Sequence, residues 1–296
     1  MHRGIVYAAL AYICWGLFPL YFLPLAAIPP VEVVAHRVLW SLVFLLMLLA
    51  VRRQWAWLRP LLRQPRVLLA FAASALLLAT NWGIYIWAVT HGHVLDSSLG
   101  YFITPLVNVL LGTTVLHERP RAAQWAALSL ATAGVAWMTW QSGQLPWIAL
   151  VLAASFGTYG LLRKVAVLGA LEGLTLETLL LAPLAFVALA WSWAQGTAHF
   201  PASFVTGDWK TDLWLIGVGP VTAVPLLLFA AGARRITLTT LGLLQYLGPS
   251  IQFVLGVWLV REPMTPQRLA GFGLIWAARL VYSADGWRSS RRAAAA

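Results

Sequence analysis

Hydrogen-bonding side chains recur at helical spacing inside two of the most apolar stretches of this chain. Between residues 95 and 116 they fall four, three and four positions apart, at Ser97, Tyr101, Thr104 and Asn108. The stretch from 237 to 259 repeats this spacing with Gln245, Pro249, Gln252 and Gly256. Such spacing places each set on one face of a helix. Polar groups there need water, a bound molecule or another helix as partner, because unsatisfied ones in apolar surroundings are costly.

These groups are suited to binding rather than to breaking bonds. Membrane-embedded enzymes use paired acids, a histidine-rich metal cluster or a nucleophile with its base. The sequence contains no Asp-x-x-Asp and no His-x-x-x-His pattern, and its one cysteine, Cys14, can form neither an internal disulfide nor a metal site alone. It also has no Walker loop, which argues against ATP-driven pumping. We therefore expect no catalytic residue, no metal and no cofactor.

Charged groups inside apolar segments are the second kind of candidate. Glu32, His36 and Arg37 share one segment, and Glu177 lies in another. Glu32 and His36 are four residues apart and can pair on a helix. Arg37 can contact an anionic group of a substrate or neutralise a glutamate, or its side chain can extend to the membrane surface. Glu177 is a candidate for proton coupling.

Aromatic and amide side chains meet in the segment from 67 to 90. Asn81 and Tyr85 share one helical face, and Trp82 lies beside it. Such a lining suits an amphipathic organic molecule better than a bare ion, although the aromatic rings can equally serve as packing or interfacial residues. These residues join the candidate substrate site.

The composition identifies the solvent of this protein. Residues of the types AVILMFWYC make up 61% of the chain and charged residues only 10%, against about 25% charged residues in soluble domains. The net charge of +11 comes from basic residues in short gaps between apolar runs, where membrane proteins carry them. The lipid bilayer, rather than nucleic acid, is thus the expected partner.

The apolar runs predict an all-α protein with ten transmembrane helices, since a span needs about 20 mostly apolar residues. The expected spans are 4–25, 31–51, 67–90, 95–116, 122–140, 146–165, 173–194, 213–233, 237–259 and 266–283. Most lysines and arginines fall in loops on the side of the N-terminus, whereas the opposite side holds Lys210, Arg261 and Arg268. The positive-inside rule then places both termini in the cytoplasm.

An internal repeat divides the chain into halves. Residues 98–118 align without gaps on residues 242–262, and Pro105, Gly112 and Glu118 match Pro249, Gly256 and Glu262. An offset of five spans, an odd number, means that the second copy enters the membrane from the opposite face. We predict repeats at 1–141 and 142–284, followed by a cytoplasmic tail at 285–296.

The matched prolines are predicted to act as hinges. Pro105 and Pro249 each deprive the carbonyl four residues earlier of its helical partner and so favour a kink in both copies. A carbonyl freed in this way is tolerated where it lines a cavity. The repeat is imperfect, because Asn81 aligns with Pro225.

Four stretches resemble the RarD proteins of bacteria, which belong to the EamA group of the drug/metabolite transporter superfamily. They are "ALAYICWGLFPLYF", "VEVVAHRVLWS", "NWGIYIWAVTHGHVLDSSLGYFITPLVNVLLG" and "LHERPRAAQW". The resemblance implies a ten-span inner-membrane protein built from two inverted five-span repeats, with a central cavity between spans three, four, eight and nine. The residues it places at that cavity are Asn81, Trp82, Tyr85, Ser98, Tyr101, Asn108, Gln245, Tyr246 and Gln252.

The function expected from these observations is secondary transport by alternating access. The substrate would be a small amphipathic metabolite or drug, and protons are a candidate coupling ion. Export is implied by the resemblance, since nothing physical in the sequence fixes a direction. A passive channel and a membrane-embedded lipid-modifying enzyme are the alternatives. The sequence does not predict the substrate or the oligomeric state.

Overall fold

A computed structural model describes residues 2–61, 63–115, 117, 122–201, 207–233, 235, 244–245 and 247–295. Its long elements are all α-helices. In chain order they are α1 (His2–Gly16), α2 (Phe18–Phe22), α3 (Pro30–Arg52), α4 (Leu58–Leu61), α5 (Pro65–Thr90), α6 (Val94–Thr114), α7 (Ala122–Ser142), α8 (Trp147–Val165), α9 (Ala170–Ala194), α10 (Trp209–Ala233), α11 (Leu247–Trp258) and α12 (Pro266–Ala295). A 3-10 turn at Leu23–Leu25 extends α2.

Local sequence sets many of these boundaries. Pro30, Pro65 and Pro266 are the first residues of α3, α5 and α12, a position where the missing amide hydrogen of proline has no helical partner to lose. Gly92 follows the end of α5 with φ of +76°, a left-handed conformation that glycine adopts without steric cost. Each predicted span therefore overlaps a helix or, at the N-terminus, the pair α1 and α2.

Five described helices are long and apolar enough to cross a membrane. They are Pro30–Arg52, Pro65–Thr90, Val94–Thr114, Ala170–Ala194 and Trp209–Phe229. The consecutive helices α1 and α2 form a sixth candidate, bent by 44° at the break between them. The bend has a local cause, since Pro19 cannot donate a hydrogen bond to the carbonyl of Trp15 four residues earlier.

The helices interlock across the two halves of the chain. α3 packs against α9 and α10, α1 against α10 and α11, α5 against α8 and α9, α6 against α8 and α11, and α7 against α12. Small residues allow the closest of these approaches. A Cβ at Gly219 of α10 would overlap the backbone between Trp40 and Ser41 of α3, and the Ser41 hydroxyl donates to the Gly219 carbonyl at 3.2 Å. This interlocking surrounds a cavity near the centre of the helices.

Candidate functional site

A cavity lies where α1, α2, α3, α5, α6, α8, α10 and α11 converge. The cavity volume is about 70 Å³. This is room for several waters, since roughly 10–15 Å³ holds one. Apolar and aromatic side chains form most of its wall, among them Phe18, Leu78, Trp82, Phe156 and Leu226. Its polar lining includes Arg37, Asn81, Tyr85, Tyr101, Gln245 and Gln252.

Arg37 is the charged residue of this wall. It lies about two turns into α3 and is 3% exposed, so that its side chain is directed into the protein rather than to the membrane surface. Its guanidinium carbon stands 4.2 Å from the ring centroid of Trp82 and 5.5 and 5.6 Å from those of Phe18 and Phe22. Nε and Nη1 are buried without a hydrogen-bond partner among the described residues.

Asn81 and Tyr101 join α5, α6 and α8. The Tyr101 hydroxyl donates to Asn81 Oδ1 at 3.2 Å, and Asn81 Nδ2 donates to the Leu152 carbonyl at 3.2 Å and to Ser155 Oγ at 3.0 Å. Both residues thus combine helix–helix bonding with a place in the cavity wall. The Tyr85 ring lies 5.8 Å from that of Tyr101, but its buried hydroxyl has no partner in the described structure.

Gln252 and Gln245 bring the second half of the chain into the wall. Gln252 Nε2 donates to the Trp15 carbonyl at 3.0 Å, whereas the buried Oε1 of the same side chain has no described partner. Gln245 also lines the cavity. Tyr246, predicted to lie beside them, falls outside the described residues.

The predicted polar face of the fourth span is divided by the structure. Tyr101 lines the cavity, but the Ser97 and Thr104 hydroxyls donate to the carbonyls of Val94 and Gly100 in their own helix, at 2.8 and 3.0 Å. Asn108 is exposed and lies beside α8, where its Oδ1 would be 3.3 Å from a Cβ at Gly157. Asn108 is not among the residues that line the cavity.

Ser98 and the two predicted hinge prolines lie near these contacts. The buried Ser98 hydroxyl donates to the Pro249 carbonyl at 2.8 Å, which links α6 to α11. Pro249 is the third residue of α11, within the first turn, where a proline fits without a kink. Pro105 lies in the interior of α6. Of residues 236–246, the structure describes 244, which is helical, and 245, a turn, so the hinge role of both prolines stays a prediction.

Glu32 and His36 do not form the expected pair. Glu32 accepts hydrogen bonds from the His199 amide at 2.7 Å and binds His199 Nδ1 at 2.9 Å. His36 Nδ1 accepts from Trp40 Nε1 at 3.2 Å. No local pattern pointed to His199, because the loop before α10 folds back onto α3 from 167 residues away.

Glu177 lies in a separate polar cluster on α9. The Ser74 hydroxyl donates to its Oε1 at 2.6 Å, Tyr159 to its Oε2 at 3.4 Å, and Arg163 Nη1 stands 3.8 Å from Oε1. Ser74 and Arg163 also line a second cavity of about 190 Å³. Glu177 therefore does not belong to the central cavity.

Glu262, in the second half of the chain, binds the N-terminal end of the fourth predicted span. This residue follows α11, and its carboxylate accepts from the Leu95 amide, 3.0 Å from Oε1 and 3.2 Å from Oε2. Burial raises the pKa of Glu262 from an ordinary 4.5 to about 7. Arg268 of α12 lies 4.0 Å from Glu262 and 3.3 Å from Asp96. The sequence singled out Glu262 only as a mark of the repeat.

Comparisons with known proteins agree on one family. The model of the EamA-like transporter family matches residues 2–140. An uncharacterized transporter of Pseudomonas aeruginosa is 48% identical over 294 residues, covering 99% of this chain and 97% of its own. Protein RarD of Escherichia coli is 41% identical over 290 residues, covering 98% and 97%. One crystal structure, 18% identical, covers 96% of this chain and 97% of its own with a TM-score of 0.60, which indicates a shared fold.

Proposed function

We propose that this chain, which belongs to the RarD proteins of the EamA-like transporter family, exports a small amphipathic organic molecule across the bacterial inner membrane by alternating access. Membership of this family and the apolar helices indicate that the chain is an integral membrane protein and a transporter. The observation that carries the finer proposal is the central cavity, whose wall combines aromatic and hydrogen-bonding side chains from both halves of the chain. Such a lining is typical of sites for organic ligands.

Two inverted five-helix repeats, at 1–141 and 142–284, form the scaffold that we propose. In this arrangement α8, α9, α10, α11 and α12 are the counterparts of the α1–α2 pair, α3, α5, α6 and α7. Helix packing supports this arrangement. For several contacting pairs, replacing each helix by its counterpart gives another pair that is in contact. α6 packs on α8 as α11 packs on α1, and α5 packs on α8 as α10 packs on α1. Three helices also pack against their own counterparts: α3 against α9, α6 against α11 and α7 against α12.

The proposed topology has ten membrane crossings and cytoplasmic termini. It rests on the excess of lysine and arginine in the loops on one side. The segment from 285 onward then belongs to the cytoplasmic side, as a continuation of α12 beyond the membrane. Export, rather than uptake, rests on family membership alone.

Alternating access is supported by the size of the cavity. Sites for drug-sized ligands typically enclose about 300–1,000 Å³, far more than the open volume here. A substrate therefore enters only when helices separate. The bend between α1 and α2, where Pro19 interrupts the helical hydrogen bonds, is a natural place for such movement.

Transport into proteoliposomes tests this function. Candidate metabolites are supplied with and without a pH gradient, and flux is compared between the wild type, Gln252→Leu and Gln267→Leu. Gln252 lines the cavity, whereas Gln267 is exposed on α12. We expect saturable flux that Gln252→Leu weakens several-fold and Gln267→Leu leaves unchanged. Flux that never saturates would indicate a channel, and equal flux in all three proteins would remove the cavity from the proposal.

A further inference from the structure

We propose that the central cavity recognises an organic anion and that Arg37 receives its negative group, a carboxylate, phosphate or sulfonate. This inference rests on the proposed function, because it names the substrate class of the same cavity. The substrate would carry an apolar body beside the anionic group.

The charge of Arg37 is uncompensated among the described residues. A guanidinium stays protonated in proteins, and a buried cation is destabilising unless an anion or water offsets it. Arg37 is 3% exposed. In the part of the chain that the structure describes, the ion pairs of arginines involve Arg163 and Arg268, and none involves Arg37. Its compensating charge must come from elsewhere.

Aromatic rings hold the guanidinium of Arg37 in place. Trp82, Phe18 and Phe22 present their rings to it at 4.2 to 5.6 Å. Cation–π contacts fix the position of a cation without neutralising its charge. They also leave N–H groups unused at two of the three guanidinium nitrogens, since Nε and Nη1 bond to no described residue. Arg37 is therefore positioned with donors to spare, as an anion receptor requires.

Further hydrogen-bonding groups lie in the same cavity wall as Arg37. The Tyr85 hydroxyl is a second buried donor without a described partner, and Gln252 Oε1 is a buried acceptor without one. Tyr85 can assist in binding the anion, and Gln252 can accept from an N–H or O–H of the substrate. Phe156, Leu78 and Leu226 supply apolar wall for the rest of the molecule. The complementary ligand is an amphipathic anion with one hydrogen-bond donor.

Thermal unfolding of the purified full-length protein tests the inference. The probes are 4-hydroxyphenylacetate, 4-hydroxyphenyl phosphate and 4-hydroxybenzenesulfonate, each compared with neutral 4-hydroxyphenylacetamide, so that every probe carries a hydroxyl donor. We expect at least one anion to raise the Tm of the wild type with a half-effect concentration at least tenfold below that of the amide. Equal effects of all four probes, or no effect of any, would overturn the inference.

Variants of Arg37 separate recognition from folding. Arg37→Met removes the uncompensated charge with little change in volume, so we expect its Tm without ligand to equal or exceed that of the wild type. We also expect it to lose the preference for anions, whereas Arg37→Lys retains part of it. Arg52→Met, at the exposed end of the same helix, serves as the control and should behave as the wild type. An undiminished preference in Arg37→Met overturns the proposal.

Flux measurements distinguish this inference from the proposed function. Transport of the neutral amide as fast as the anions would overturn anion recognition and leave a transporter. Anion binding that depends on Arg37, without flux of any probe, would support the receptor and count against the transport function.

Discussion

Gln252 Nε2 donates a hydrogen bond to the carbonyl of Trp15 at 3.0 Å, and it does so at the carbonyl that Pro19 leaves without its helical partner. The two residues are 237 positions apart. A side chain of the second half thus donates to a carbonyl left unpaired at the break between α1 and α2. Both residues also line the cavity. The same contact thus lies at both the bend and the cavity.

Replacement of Gln252 by leucine should therefore destabilise the protein as well as weaken transport. The variant leaves the Trp15 carbonyl unsatisfied, which typically costs about 1–3 kcal/mol. Thermal or denaturant unfolding of the purified protein measures the loss. Gln267→Leu, on the exposed face of α12, should fall within about 0.5 kcal/mol of the wild type. Equal stabilities of the two variants would contradict a structural role for the Gln252 bond.

Tyr101 and Asn81 should behave as a coupled pair. Tyr101→Phe removes the 3.2 Å hydrogen bond to Asn81 and keeps the ring, so we expect a loss of about 0.5–1.5 kcal/mol. A double-mutant cycle with Asn81→Ala should give an interaction energy of at least about 0.5 kcal/mol. Additive effects would show that the bond contributes nothing to stability in the membrane protein.

Gly219 should tolerate no side chain. A Cβ there would overlap the α3 backbone at Trp40 and Ser41, so Gly219→Ala should cost about 1–3 kcal/mol or more, as overpacking does. Gly83 is the matched control, because it lies inside α5 with nothing within 4 Å of the corresponding Cβ. Gly83→Ala should stabilise its helix by about 0.5–1 kcal/mol. Unfolding midpoints that move in the same direction for both variants would contradict this packing.

Glu262 should make stability depend on pH. Because its pKa is raised to about 7 from an ordinary 4.5, the folded protein holds this proton more tightly than the unfolded chain does. Stability from this group therefore falls as pH rises from about 4.5 to about 7, with a slope of at most about 1.4 kcal/mol per pH unit. Glu262→Gln should flatten the pH dependence of unfolding across this window. Gln267→Leu, which removes no titratable group, should leave the slope of the wild type intact.

Glu177 should reveal whether protons drive transport. If this carboxylate couples flux to a pH gradient, Glu177→Gln keeps the fold and abolishes the dependence of flux on that gradient. If instead its contacts with Ser74, Tyr159 and Arg163 make Glu177 a structural residue, Glu177→Gln should lose about 3–5 kcal/mol of stability, as breaking a buried ion pair does. Gradient-dependent flux in a folded Glu177→Gln protein would exclude Glu177 as the coupling group.

The positions of the helices could be predicted from the sequence because they depend on neighbouring residues. Some 20 apolar residues must form a helix to satisfy their backbone in a bilayer, and prolines and glycines end the runs locally. The same reasoning singled out six of the residues that line the cavity. Asn81, Trp82 and Tyr85 share one region of α5, and Tyr101, Gln245 and Gln252 lie on the predicted polar faces.

Helical spacing could not say which polar side chains bond within their own helix. Thr104 reaches the Gly100 carbonyl one turn back, an option that serine and threonine always have in helices. Asn108 lies nearly two turns beyond Tyr101, further than the cavity extends. Polar character thus indicated a face, while only the packed neighbours decided which residues of that face meet a cavity.

The sequence by itself determined the membrane environment, the positions of the apolar helices and the polar faces, since each follows from composition or from residues a few positions apart. Only the tertiary structure decided that Glu32 binds His199, that Gln252 binds Trp15 and that Arg37 lies among aromatic rings without a described anionic partner. Those relationships depend on how each helix is rotated and packed against helices distant in the chain. Rotation and packing are set by the fit of all the side chains together, which no local pattern contains.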